Sequence, residues 1–169
     1  MYKPKRFLSR MLYNLTMKLG TKIMKHPVLY YILNFTWGSL FTILGYLIFI
    51  VMLPFGKAKK YHYIPYIHLK KGEGWGFEQG ATFIVAKDCD IDSVKEHEFG
   101  HTIQNCIFGP FQLFIVTIPS VIRYWYRYSC EKKGKELKTY YDDIWFEHSA
   151  SDIGLRFRTY NSVKKYLKK

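Results

Sequence analysis

The sequence predicts a mainly α-helical, α+β fold, with membrane-associated helices and a short β-hairpin preceding one sharply bounded helix. Three observations predict it. Residues 27–56 hold no charged side chain. Residues 57–90 turn to alternating tyrosines and repeated glycines, the composition of strands and turns. A helix start at Ser93 and a stop at Gly109-Pro110 then enclose a run of helical length.

In residues 1–26, Phe7, Leu8, Met11, Leu12 and Leu15 recur at helical spacing, with Arg10, Lys18, Lys22 and Lys25 among polar positions. This is the pattern of a basic amphipathic helix lying on a membrane surface, or of one packed on its own domain. A cleaved signal peptide fits less well, because the following apolar stretch is too long and lacks a small-residue cleavage site. The formal net charge is +13, and no Asp or Glu precedes Glu73, so the excess belongs to the first 72 residues. Beside a long apolar segment such a block suits anionic lipid headgroups, and with no recognition motif nucleic acid is not expected. It also favours a cytoplasm-facing site at a bacterial cell membrane.

Residues 27–56 read as a transmembrane or re-entrant segment. Asn34 to Leu53 supplies 20 positions, about 30 Å as a helix and the thickness of a hydrocarbon core. Tyr30, Tyr31, Trp37 and Tyr46 are interfacial residue types. Gly38 and Gly45 allow close helix packing, or a break that turns the segment back. A buried helix of a soluble core is the alternative.

Residues 57–169 read as one further domain. Ala81 to Ala86 forms a short strand ended by Lys87-Asp88-Cys89-Asp90. Ser93 and Glu96 match a capping box, and Gly109-Pro110 a stop, so a helix is expected over 94–108. The uncharged run 106–122 contains Pro110 and Pro119 and is expected to kink or re-enter. A last helix is expected across 141–158, before a basic tail ending in Lys168-Lys169. Cys89, Cys106 and Cys130 form no disulfide framework and read as buried thiols.

The chemistry lies on the helix over 94–108. His97 and His101, four residues apart, stand about 40° apart around its axis and one turn above each other. Two imidazoles so placed can share one tetrahedral Zn²⁺, with Glu98, about 100° round from His97, beside the metal as a proton carrier. Phe99, Ile103 and Cys106 form the opposite, packing face. A catalytic zinc needs a third protein ligand. Downstream candidates are Asp142, Asp143, Glu147, His148 and Asp152; Glu147 is chosen and His148 is its rival on the same helix. Upstream, His62 and His68 read as loop or interfacial residues.

His97-Glu98-Phe99-Gly100-His101-Thr102-x-Gln104, then Gly109-Pro110, Ile118-Pro119-Ser120 and Glu147-x-x-Ala150 resemble a family of small bacterial membrane-associated zinc metallopeptidases, gluzincin-like in ligand pattern. Trp37-Gly38 and the glycine-rich stretch before the strand add to the likeness, which covers roughly residues 35–155. The resemblance implies His97, His101 and Glu147 as metal ligands and Glu98 as catalytic base. Ser151 stands where the family carries an Asp able to hold a ligand histidine, and Trp145-Phe146 where the approach to Glu147 is more polar; Lys95 departs from the stricter peptidase pattern, which prefers an uncharged residue two before the first histidine. Asp152 is the expected substitute for the missing Asp.

The sequence thus points to a membrane-embedded peptidase with one zinc, a peptide or protein substrate and lipid contacts. Tyr140 or Tyr141 is the expected donor to the oxyanion, and the basic surface would favour acidic peptides or lipid headgroups. A non-catalytic membrane partner or assembly protein with a structural or vestigial zinc site is the alternative.

Overall fold

The computed structural model describes residues 4 and 6–167. The expected basic tail at Lys168-Lys169, like Lys3 and Lys5, lies outside the described residues. Three helices open the chain: α1 (Phe7–Ile23), α2 (Pro27–Phe35) and α3 (Ser39–Met52). Four strands follow: β1 (Gly56–Tyr61), β2 (Ile64–Leu69), β3 (Gly76–Gln79) and β4 (Thr82–Val85). Helices α4 (Asp92–Phe108), α5 (Ile118–Lys132) and α6 (Trp145–Tyr166) complete it. The α+β class holds.

The sheet is larger than the expected hairpin. Its order is β1-β2-β4-β3, with β2 and β4 parallel and the other pairs antiparallel. The β1–β2 hairpin turns at His62-Tyr63, where His62 takes φ 54°. Lys57, Lys59 and Lys60 make β1 a charged edge, which hides it from a hydrophobicity reading. The four residues of β3 are too few to show a period of two. β4 is buried along its whole length, and β3 forms the other edge, beside α4.

Helices α4 and α6 are the central pair. α4 is buried continuously from Glu98 to Cys106, and Phe99 stacks on Phe157 of α6 with ring centroids 4.2 Å apart. Close approach depends on two glycines. A Cβ at Gly100 would strike the backbone of Ala150, and one at Gly154 the backbone of Glu96. The expected capping box is not formed: α4 begins at Asp92, and no side chain caps it. Glu96 instead pairs with Arg158 of α6 at 3.2 Å. The stop at Gly109 is as expected, with φ 54° and Trp37 packed where a Cβ would stand. The last helix begins at Trp145, later than expected, and runs to Tyr166.

The uncharged run 27–56 does not form one straight helix. α2 and α3 are bent by 96° at Thr36-Trp37-Gly38, and Gly45 lies inside α3 against the backbone of Gln79. Asn105 of α4 holds the corner. Its amide donates to Asn34 Oδ1 (2.6 Å), Thr42 Oγ1 (3.2 Å) and Gly38 O (3.4 Å). The second apolar run breaks as expected. After α4 comes a 3₁₀ turn at Gly109–Phe111, a 115° bend at Gln112, and a π-helical stretch at Leu113–Thr117 that leads into α5. No single described helix is long and apolar enough to cross a membrane; the two bent pairs meet the test of length and composition together. α1 packs on α6 and α4 through Tyr13, Met17 and Gly20, leaving Phe7, Leu8, Met11 and Leu15 exposed.

Candidate metal centre

His97 and His101 project from α4 toward Glu147 in the first turn of α6. Their Nε2 atoms are 3.0 Å apart, and each is 3.1 Å from Glu147 Oε2. These three side chains form a group that can hold a metal ion. Glu147 is fully buried, and its second oxygen, Oε1, has no hydrogen-bond partner among the described residues.

Hydrogen bonds fix where the ring protons sit. Gln104 Nε2 donates to Phe146 O (2.6 Å) and Ser149 Oγ (2.9 Å), so the Gln104 oxygen faces His101 Nδ1 at 2.8 Å and must accept from it. Ser151 gives its one proton to Asp142 Oδ2 (2.7 Å) and accepts from His97 Nδ1 (2.8 Å). Both neutral rings therefore carry their proton on Nδ1 and turn an Nε2 lone pair toward the carboxylate. Three electron-pair donors facing one another at this range could hold a metal ion among them. Two ligands at about 2.05 Å on a tetrahedral zinc stand about 3.3 Å apart, close to the 3.0–3.1 Å observed. The donor set fits the ion.

Glu98 is 5 % exposed and sits on the side of α4 that faces β3. Its carboxylate accepts from the backbone N–H of Glu78. Gly76 makes room for it, since a Cβ there would stand 2.6 Å from Glu98 Oε1. Burial pushes the Glu98 carboxyl up to about 7, with the Glu147 charge adding and His101 opposing. Glu78, behind it, is also raised, by burial first and by Glu98 second. Burial raises the Glu147 carboxyl, and only positive charge at the two imidazoles would outweigh it and lower the carboxyl; neutral rings facing it through lone pairs give no such relief.

Glu147 rather than His148 meets the histidines. The His148 ring turns to Asp142 O (3.2 Å) and toward Asp152 (3.8 Å). Asp152 does not replace the missing Asp; it accepts from Tyr13 instead. The substitute is Asp142, acting through Ser151, and the sequence reading took Ser151 for a loss. Gln104, three residues beyond His101 on one helix face, was a readable signal for a partner of that ring. Tyr141 lies in the cleft with its hydroxyl 2.8 Å from Ser120 Oγ, whereas Tyr140 is 82 % exposed and cannot serve there. Arg123 of α5 donates to the carbonyls of Tyr141 (2.9 Å) and Tyr140 (2.6 Å), pinning the loop that carries Tyr141 and Asp142.

No family model, curated protein or solved structure matches the chain.

Proposed function

We propose that the chain is a zinc-dependent peptidase working against a membrane, with zinc held by His97, His101 and Glu147. One observation carries the reading: two fixed lone pairs and a buried carboxylate converge on the floor of a cleft, with a second buried carboxylate, Glu98, alongside. Zinc bound there would supply Lewis acidity toward a carbonyl. Glu98 takes the proton of the attacking water and returns it to the leaving amine. Tyr141, on the facing wall, donates to the developing oxyanion. The likeness of the histidine motif to gluzincin-like membrane peptidases supports the same reaction. Exposed apolar side chains on several helices, among them Phe7, Leu40, Leu47, Val51 and Ile122, support the membrane part.

The test is Glu98→Gln. Gln keeps the size and helix propensity but accepts no proton at neutral pH. Detergent-purified variant is expected to hold zinc as the wild type does while cutting a peptide library about 10²–10⁴-fold more slowly. Equal turnover would leave the alternative, a membrane partner protein with a structural metal.

A further inference from the structure

The basic outer charge says the wrong thing about the cleft. Around the metal centre lies a cleft of about 1270 Å³ between β3, α4, α5 and the start of α6. Seven of the chain's 13 acids line it, and among the described residues Arg127 is the single basic residue that does. Glu98 and Glu147 belong to the centre and Glu78 stands behind it. Glu73, Glu96, Glu131 and Asp142 lie along the walls. Apart from the three buried acids at and behind the centre, the walls carry four acids against Arg127.

The neutralising partners are few. Arg127 turns away, donating to Thr139 O at 2.6 Å, and Glu96 is paired with Arg158. Glu73 and Glu131 are exposed and have no ion-pair partner among the described residues. Much of the remaining wall is apolar, from Ile48, Phe77, Val116, Val121 and Trp125, with Gln79, Ser93, Thr117 and Ser120 among them. Walls of low polarity concentrate the field of like charges inside a cleft. The excess of Lys and Arg precedes Glu73 in the chain, and none of it enters the lining.

We infer that the cleft selects a cationic peptide segment bearing apolar side chains and rejects acidic ones, opposite to what the net charge of +13 suggests. This rests on the peptidase reading for its substrate, but its charge preference is measurable without catalysis. One labelled apolar peptide core, flanked by Lys, Gln or Glu, is titrated onto zinc-loaded Glu98→Gln protein in uncharged detergent, and anisotropy is followed. The same three peptides are offered to the wild type for cleavage. The Lys-flanked peptide is expected to bind about tenfold tighter than the Gln form, with the Glu form weakest. High salt should shrink that order, as should the Glu73→Gln, Glu131→Gln double variant. Equal binding of all three, tightest binding of the Glu form, or no binding overturns the inference; cleavage of any of them would still keep the peptidase. A Lys preference in binding with no cleavage by the wild type does the reverse: the charge selection stands and the hydrolytic reading falls.

Discussion

Replacing Ser151 with Ala tests the metal centre one bond away from the ligands. The change removes the hydroxyl that accepts from His97 Nδ1 at 2.8 Å and donates to Asp142 at 2.7 Å. Ala is the better helix former, so a loss cannot be charged to the backbone of α6. Without the acceptor, His97 loses its fixed tautomer and its orientation toward the metal. Outer partners of this kind are worth about 10–100-fold in metal affinity, or about 1.4–2.8 kcal/mol. The carboxylate behind the hydroxyl places Ser151→Ala in the upper half of that range. Asp142→Asn keeps an acceptor for the serine and removes the charge, so it should cost less. Because both residues act along one path, the double variant should bind zinc no worse than Ser151→Ala alone. Zinc affinity by chelator competition reads all three. Wild-type affinity in Ser151→Ala, or a double variant whose loss equals the sum of the two, would refute the relay.

Three further outcomes are expected. Glu147→Ala should lose zinc while His148→Ala keeps it, measured as metal per chain; the reverse would mean the wrong neighbour was chosen. Gly154→Ala pushes a Cβ into the backbone of Glu96, and prising α4 from α6 should cost about 2–3 kcal/mol, read as a lowered denaturation midpoint with zinc affinity falling alongside. Membranes washed with high salt and carbonate should retain the protein, since the uncharged run 27–56 does not depend on salt for its burial; release by salt alone would make it peripheral.

The chemical face of α4 was legible because one helix writes it in consecutive turns: His97, Glu98 and His101 at fixed angles, Phe99 and Ile103 behind. Glu147 was legible only as one of several candidates, since 46 residues separate it from His101 and no local period links them. Asp142 was legible only as a candidate ligand, for a related reason: its place behind Ser151 depends on where Arg123 pins a loop. β1 and β3 were lost to charge and shortness. Ser93 and Glu96 carried the letters of a capping box, but a tertiary ion pair to Arg158 took Glu96 away.

The corner between α2 and α3 has a consequence in time. Its three acceptors are bonded by Asn105, whose contact with Asn34 spans 71 residues of chain. During synthesis residues 27–56 therefore exist before the group that bends them. In apolar surroundings, where every peptide group must find a partner, an uncharged run of this length without Asn105 is best served as one continuous helix. The 96° bend has its own local bonds, Gly38 N–H to Leu33 O and Ser39 N–H to Thr36 O, and the docking of α4, with His97 and His101 on it, adds the long-range ones from Asn105. The path of the apolar segment and the placing of the two histidines are thereby coupled through one buried amide of α4.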